Sequence, residues 1–261
     1  MAADEKELTF WEHLEELLNR LRTSFYALIF FTLFVMAFPI SLNLENLFSE
    51  NPWYPTVASL VIDKIRSDFV PAGVELMPIS WYAPLEVYVY VSLVLGAILS
   101  LPFIAYNIHK FINPALHEHE RKAVTPFVVS FTGLFLFGVF VGYVLVMPAT
   151  VRVLLLTAQP FGLAPRYEFA QFFSLVAGGL FVCGFMMTFP VFLVLLVKVG
   201  LLESKQFKAN RKYIYGGIMI TISVLDPDPT LVTETFLGIP TILALEIAIR
   251  VASRFEKKSA K

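Results

Sequence analysis

Carboxylates are the first side chains in this sequence whose spacing suggests chemistry, and they gather before the first apolar stretch. Six acidic residues and a single lysine occupy the first sixteen positions, and the acids are Asp4, Glu5, Glu7, Glu12, Glu15 and Glu16. Clustered carboxylates suit a guanidinium group, which meets a carboxylate through two parallel hydrogen bonds, whereas an ammonium group cannot reproduce that geometry. The cluster indicates either a solvated helix face or a binding site for a cationic ligand.

A second polar segment has the sequence FINPALHEHER and covers residues 111–121, between two apolar stretches. One interpretation is an interfacial turn, in which Pro114 breaks a helix and Arg121 faces lipid phosphates. Alternatively, this segment and the acidic N-terminal segment together offer carboxylates to a cationic ligand.

Nothing in the sequence is typical of an enzyme. The four histidines, which are His13, His109, His117 and His119, all fall outside the apolar stretches, so none is placed to act as a base within a membrane. His117 and His119 are two residues apart and do not share a helix face, and no cysteine lies near them. The sequence also lacks a GxxxxGK[ST] phosphate-binding loop. We therefore predict a protein that is not an enzyme and has no metal and no cofactor.

The elements that must position these polar segments are strongly apolar. The chain has 261 residues, of which 57% are hydrophobic and 16% charged, and its mean hydropathy is +0.71. Soluble domains carry about 25% charged residues, and a soluble chain of this length could not enclose so much apolar surface. The composition predicts an integral membrane protein in contact with the lipid bilayer, and the net charge of −1 argues against a nucleic-acid partner.

Six apolar stretches are predicted to span the membrane as helices, which gives an all-α, polytopic fold. Four of them have the length that a bilayer requires, and they cover about residues 21–42, 85–108, 123–147 and 170–197. The last two, about 213–225 and 236–249, are short for a bilayer core of about 30 Å. They could form a buried hairpin or a re-entrant pair, but we favour two short spans over which the bilayer thins.

The distribution of basic residues predicts the orientation. Sixteen Lys and Arg residues fall on the side of the N-terminus and four on the other side, so the N-terminal segment 1–20 and the basic tail 250–261 are both expected in the cytoplasm. The chain is predicted to form one domain, 1–261. Its long outer loop, 43–83, contains an amphipathic helix that could pack on the spans or lie on lipid, with apolar residues at Val57, Leu60, Val61, Ile65 and Phe69.

Several segments resemble one known family. FINPALHEHERK (111–122) resembles the signature of TatC, the multispanning subunit of the twin-arginine protein translocase, and HLEELLNRL (13–21) resembles the family's N-terminal HLxELRxRL. Further similar segments are LVLGAILSLPFIAYNIHKF (93–111), GYVLVMP (142–148), NRKY (210–213), DPDPTLVTETFLGIP (226–240) and ALEI (244–247). The resemblance covers about residues 13–252.

The resemblance implies a receptor core that binds twin-arginine signal peptides of folded proteins at the cytoplasmic face of the plasma or inner membrane. It implies transport driven by the proton-motive force, single-span partners of the TatA and TatB type, and self-association in a larger complex. The resemblance also implies which residues bind the signal peptide, and Glu15 is an extra acid beside them. The predicted signal-peptide residues, with Glu15 included, are Glu15, Glu16, Arg20, Phe111, Pro114, Leu116, Glu120 and Arg121. The residues expected to contact partner helices are Tyr143, Thr188 and Glu246.

The chain departs from the family pattern at two positions. Leu18 stands where the family usually has Arg, which leaves a salt bridge there unsupported, and Thr188 stands where a Glu or Gln is common, two residues before Pro190. A threonine can instead bond back to its own helix. Glu246 has two interpretations, an ion pair with Arg250 four residues later or a contact for a partner helix.

Two other functions compete with the receptor. A small-molecule secondary transporter would place polar groups and broken helices at mid-membrane, and a structural membrane scaffold would bind no ligand.

Overall fold

A computed structural model describes residues 10–39, 55–112, 124–162, 166–198, 205, 209–225 and 231–259. Most of these residues are helical. The helices are α1 (Phe10–Ala37), α2 (Val57–Phe69), α3 (Ala83–Ile112), α4 (Val124–Val141), α5 (Met147–Ala158), α6 (Phe169–Lys198), α7 (Arg211–Leu225) and α8 (Leu231–Ser259). A π-helix, Gly142–Val146, joins α4 to α5, and a 3₁₀ turn, Gln159–Phe161, follows α5. The strands are β1 (Glu75–Met77) and β2 (Arg166–Glu168).

Four helical segments of the described chain are long and apolar enough to cross a membrane, and they agree with the four long spans predicted. They are Leu14–Ala37, Ala83–Ile108, Phe127–Thr157 and Phe169–Val197. The first helix begins at Phe10, before its predicted apolar stretch, and it ends at Ala37 and not at Leu42. Pro39 explains the early end, because a residue before proline avoids the helical conformation, and Pro39 instead bridges to Thr56.

The third span differs most from its prediction, because the helix continues from Val124 to Ala158 and does not stop near Met147. Pro148 lacks an N–H group, and its ring would clash with the carbonyl four residues earlier in an α-helix. The chain accommodates it by widening to a π-helix over Gly142–Val146 just before the proline. The helix therefore passes the proline without breaking.

Helix α6 is the centre of the bundle and packs against α3, α4 and α8. Glycines let α4 approach it closely, since a Cβ atom at Gly138 would lie 2.5 Å from the carbonyl oxygen of Cys183. The largest enclosed side chains include Phe135 on α4 with Phe173 and Met187 on α6. This packing leaves α4 and α6 little freedom to slide past each other.

Helix α1 lies at the edge of the bundle and packs mainly on α3. Their backbones come close at Gly96, where a Cβ atom would fall 2.3 Å from the Thr32 hydroxyl oxygen. The opposite face of α1 is apolar and exposed, with Phe25, Phe30 and Leu33 each more than half accessible. An exposed apolar face of this length is expected to contact lipid.

The amphipathic helix predicted in the outer loop is present as α2, and it packs on the spans. Thr56 caps it in a capping box with Ser59, and the Thr56 hydroxyl lies 2.9 Å from the hydroxyl of Tyr88 on α3. Ile65 and Phe69 are buried in the same core as α3 and α6. Of the two interpretations, the described structure therefore supports packing on the spans.

A small parallel sheet was not predicted from the sequence. Strands β1 and β2 pair over three residues each, with Glu75 opposite Arg166 and their side chains 3.2 Å apart. Three-residue strands are too short for an alternating pattern to reveal them. The sheet joins the chain before α3 to the chain before α6, and it marks one end of the bundle, which we call the sheet end.

The last two helices form a hairpin of unequal arms. Helix α7 has 15 residues, close to its predicted span, whereas α8 has 29 residues and extends well beyond its predicted apolar stretch at both ends. Helix α8 packs on α6 and α7. A hydrogen bond from Ser223 to Glu234, 2.5 Å long, ties the two arms at the sheet end.

Candidate functional site

An open groove of about 560 Å³ separates α1 from the last turns of α3, at the end of the bundle opposite the sheet. Both helices position it because α1 packs along α3 over much of its length. Helix α3 ends and α4 begins at this same end. The residues lining the groove are Glu15, Glu16, Asn19, Arg20, Thr23, Tyr106, Asn107 and Lys110.

Glu16 and Arg20 form an ion pair along α1, as their spacing of four residues allows. The Nε atom of Arg20 donates to Glu16 Oε1 over 3.1 Å, and a second guanidinium nitrogen contacts the same oxygen. Both side chains are partly buried. The pair fixes the Glu16 carboxylate toward the groove and neutralises part of its charge.

Glu15 is the more available carboxylate in the groove. Its side chain is exposed, and no ion pair or hydrogen bond joins it to another described side chain. Lys110 lies in the lining contributed by α3 and is exposed as well. Leu18, at the position where the family usually has Arg, is 57% exposed. The groove therefore presents one unpaired carboxylate beside a neutralised one.

The structure brings together three of the eight predicted signal-peptide residues, namely Glu15, Glu16 and Arg20. Phe111 falls in the last turn of α3, next to Lys110. Pro114, Leu116, Glu120 and Arg121 lie outside the described residues.

Sequence reasoning missed the part of the groove that α3 and the next turn of α1 provide. Tyr106, Asn107 and Lys110 lie within two turns of the predicted loop, and Asn19 and Thr23 follow the acids on α1. A signal was present in the sequence, because polar residues at 106, 107 and 110 interrupt the apolar pattern at the end of the second span.

Tyr143, expected to contact a partner helix, lies in the π-helix and reaches helix α2. Its hydroxyl donates a short hydrogen bond to Asp68, and its ring meets the Phe69 ring edge-on with centroids 5.0 Å apart. Lys64 pairs with the other oxygen of the same carboxylate at 2.9 Å. These contacts lower the pKa of Asp68 below 3.8, chiefly through the Tyr143 hydrogen bond and then through Lys64.

Thr188 is fully enclosed in α6 and donates to the carbonyl oxygen of Phe185 over 2.6 Å. This is the back-bonding that a threonine at this position allows. A partner helix could reach Thr188 only if the helices around α6 moved apart. Its predicted role as a partner contact stays a prediction.

Glu246 does not pair with Arg250 in the described structure, in contrast to one of the two interpretations of the sequence. It bonds across the hairpin to α7, where Tyr215 donates a short hydrogen bond to one oxygen and Arg211 lies 3.3 Å from the other. Arg250 is exposed. The register between α7 and α8 therefore decides the partner of Glu246, and the carboxylate closes the hairpin at the groove end.

Comparison with known proteins gives one family. The family model for the Sec-independent protein translocase protein TatC matches residues 12–240. The TatC protein of Blattabacterium is 26% identical over 99% of this chain and all of its own length. That of Escherichia coli K12 is 29% identical over 91% of this chain and 85% of its own. That of Halothiobacillus neapolitanus is 29% identical over 95% of this chain, which spans 63% of that longer relative.

A solved structure has the same fold. The crystal structure of the twin-arginine translocase receptor TatC in the detergent DDM superposes with a TM-score of 0.74 at 26% identity, over 92% of this chain and 99% of that one. The family match covers most of the chain, and it includes the helices that form the groove. This chain is a membrane protein with several apolar helices, and it belongs to the TatC family of Sec-independent protein translocase proteins.

Proposed function

We propose that this chain is the receptor core of a twin-arginine protein translocase and binds the signal peptides of folded cargo in the groove between α1 and α3. The observation that carries the proposal is the exposed carboxylate of Glu15, which has no partner among the described residues and lies in that groove beside the last turns of α3. The names of the relatives and of the solved receptor support the same function.

The charges of the groove argue that the 113–123 segment completes the site. Glu15 and Glu16 are balanced there by Arg20 and Lys110, so the described groove has no net charge to attract two arginines. Glu120 follows the end of α3 by eight residues, so even a fully extended chain would keep it within about 28 Å of Ile112. With Glu120 added, one signal arginine would meet Glu120 and the other Glu15.

An exposed ion pair contributes only about 0–1 kcal/mol, so two such pairs would bind a signal peptide weakly. The groove adds contacts of another kind. The ring of Tyr106 lines it, and the apolar face of α1 continues from it toward the sheet end through Leu17, Leu21 and Phe25. The apolar stretch of a signal peptide is expected to lie along this face, between α1 and lipid.

The orientation follows from the same proposal. Cytoplasmic signal peptides require the groove to face the cytoplasm and the sheet end to face outward, which agrees with the sixteen basic residues counted on the groove side. Both termini are then cytoplasmic, in the plasma or inner membrane. Helices α7 and α8 count as the fifth and sixth spans, so the chain crosses six times.

The translocase would need single-span partners of the TatA or TatB type and would self-associate in a larger complex, with the proton-motive force as its energy source. Of the three residues expected to contact partner helices, Tyr143 and Glu246 keep part of their surface accessible, and Thr188 does not. Tyr143 and Glu246 are therefore the better candidates in this conformation.

The transporter alternative finds little support among the described spans. Five fully buried residues donate their hydroxyls to carbonyl oxygens of their own helices, and the buried Thr132 hydroxyl on α4 is the one without a partner among the described residues, so these groups do not converge on a common substrate. The five residues are Ser92, Ser100, Thr150, Thr188 and Thr241.

The proposal predicts that Glu120→Gln weakens binding of an Arg-Arg signal peptide by up to about fivefold, because one ion pair of about 0–1 kcal/mol is lost. The measurement is capture of a labelled signal peptide by the full chain in nanodiscs, with a Lys-Lys peptide as the reference for non-specific binding. Glu15→Gln should weaken binding in the same direction.

Glu118→Gln is the matched control, since it removes one acid from the same segment two residues away. It should leave the preference for Arg-Arg over Lys-Lys unchanged. Equal capture by Glu120→Gln and the unaltered chain would remove Glu120 from the site, and equal capture of both peptides by the unaltered chain would refute the receptor function itself.

A further inference from the structure

A second cavity, of about 400 Å³, lies inside the bundle near the sheet end, away from the groove. Its walls come from α3, the π-helix, α6 and the α7–α8 hairpin, and they are mainly apolar. None of the residues predicted to bind a signal peptide lines it. We propose that this cavity is a binding site for one acyl chain of a phospholipid from the outer leaflet.

The cavity is polar at one end only. Tyr90 on α3 and Ser174 on α6 both line it, and no hydrogen bond joins either hydroxyl to another described residue. The two groups are neighbours, because a Cβ atom at Gly178 would lie 2.6 Å from the Tyr90 hydroxyl oxygen and Ser174 precedes Gly178 by one helical turn. Hydroxyls without partners at membrane depth favour a ligand that brings an acceptor.

The apolar end of the cavity lies deeper in the bundle. Helix α6 runs inward from Phe169, beside strand β2, so Ser174 is near the sheet end while Val182 and Cys183 are two or more turns further in. The two unpaired hydroxyls therefore lie toward the sheet end, where the apolar Ile222 and Leu237 also line the cavity, and the deeper lining on α6 is apolar. A phospholipid of the outer leaflet has the same order, with ester carbonyls above an acyl chain. The assignment to the outer leaflet rests on the proposed orientation.

The size of the cavity argues against a partner helix as its occupant. One turn of α-helix, with a diameter of about 10 Å and a pitch of 5.4 Å, takes up about 400 Å³, so a whole spanning helix is a poorer match to the cavity than a narrow chain. A single acyl chain is narrower and flexible. Gly178 and Gly179 contribute no side chain to the lining, and Met147 packs closely on Gly179, where a Cβ atom would lie 2.6 Å from the Met147 side chain.

The test is native mass spectrometry of the full chain released from nanodiscs made of dioleoyl phosphatidylglycerol. One phospholipid should remain bound per chain. The double variant Tyr90→Phe with Ser174→Ala removes both hydroxyls and keeps the apolar walls, and it should retain the lipid about tenfold less. Val182→Phe narrows the deep end and should also lower retention.

The matched control is the double variant Tyr82→Phe with Ser130→Ala, which removes the same two groups from exposed positions outside the cavity. It should retain lipid as the unaltered chain does. Thermal unfolding of all variants shows that the fold is kept. No bound lipid on the unaltered chain, or equal retention in all variants, would overturn the site, while signal-peptide capture reports on the proposed function separately.

Discussion

Glu246 shows how one ionisable side chain inside a helical hairpin is stabilised by its neighbours. Its two oxygens are divided between Tyr215 and Arg211 on α7, so the carboxylate is hydrogen-bonded and paired although it is largely buried, with 19% of the side chain exposed. A carboxylate in a span costs about 2.5–3.5 kcal/mol on insertion scales. The contacts to α7 offset that cost and link the hairpin at the groove end.

We expect Arg211→Gln to lower the free energy of unfolding by about 0.5–1 kcal/mol, the range for a half-exposed ion pair. Glu246→Gln should cost less, because an amide oxygen still accepts from Tyr215. The double variant should cost less than the sum of the two, since the residues interact directly. Denaturant unfolding in detergent measures all four chains.

A control separates this structural link from a contact with a partner helix. Arg250→Gln removes a basic residue from the same helix, and it should show no coupling to Glu246→Gln. If Glu246 instead serves a partner helix, Glu246→Gln would weaken capture of a single-span partner, and the coupling to Arg211 would be absent.

The pair of Glu16 and Arg20 was not predicted, although both residues were named as signal-peptide residues. It lies within one helix, and the separation of four residues could have indicated it. The sequence left two interpretations for Glu246, an ion pair with Arg250 or a contact with a partner helix. In the structure its partners lie on α7. The offset between α7 and α8 depends on a turn and on packing, and neither is encoded in the spacing along α8.

At the level of elements, the contact between α2 and the π-helix joins the outer loop to the bundle. Tyr143 stands in the π-helix, and Asp68 near the end of α2 accepts its hydroxyl. The widened turn before Pro148 therefore coincides with the contact that holds α2 in place. Phe69 packs on the Tyr143 ring in the same region.

This contact predicts a pH-dependent stability. The pKa of Asp68 is below 3.8 in the folded chain, so the unfolded chain takes up a proton at higher pH than the folded chain does. The stabilisation from the ionised carboxylate is complete well above 3.8 and is lost as the pH falls through the lowered pKa. Tyr143→Phe should lower the thermal midpoint by the same amount from about pH 7 to about pH 5, and the difference should shrink below that range.

Tyr167→Phe is the matched control for that experiment, since Tyr167 is a half-buried tyrosine on β2 at the same end of the molecule. It should leave the midpoint unchanged at every pH. A Tyr143→Phe loss that persists below the pKa of Asp68, or an equal loss in the control, would contradict the hydrogen bond as the cause.

Helix existence was predictable and helix ends were not. Long apolar stretches and the apolar stripe of α2 gave the right elements, because burial in lipid or against a span needs those patterns. Pro39 and Pro148 have opposite effects, since the first ends α1 and the second is absorbed in a continuous helix. The difference comes from packing, as Gly142 brings the π-helix against Cys183 on α6.

The groove was predicted only in part. Its acidic half on α1 was expected from the local cluster of carboxylates, and its half on α3 was missed.

At the scale of the whole molecule, the helices do not have equal lengths. Helices α3 and α6 have 30 residues each, whereas α7 has 15 and would extend about 22 Å. The bilayer core is about 30 Å thick. Helix α7 is also tied to α8 at both ends, by Ser223 with Glu234 and by Tyr215 with Glu246. The hairpin therefore cannot lengthen its apolar span by sliding one arm along the other.

In the six-span topology proposed above, a bilayer that meets the short arm α7 on one side and long helices on the other is expected to thin beside the hairpin. In nanodiscs imaged by electron cryo-microscopy, the headgroup layers should be several ångströms closer beside α7 than beside α1.

A lengthened hairpin tests the cause. The variant has four residues inserted between Gly217 and Ile218 and four between Thr241 and Ile242. Each arm is then about 6 Å longer between its two ties to the other arm, and the bilayer beside the hairpin should regain its thickness. Four residues added after Ser259 lengthen α8 outside the span and should change nothing. Thinning is expected because a short span in a bilayer of full thickness would have to expose its polar ends to hydrocarbon. A uniform headgroup spacing around the unaltered chain would contradict it.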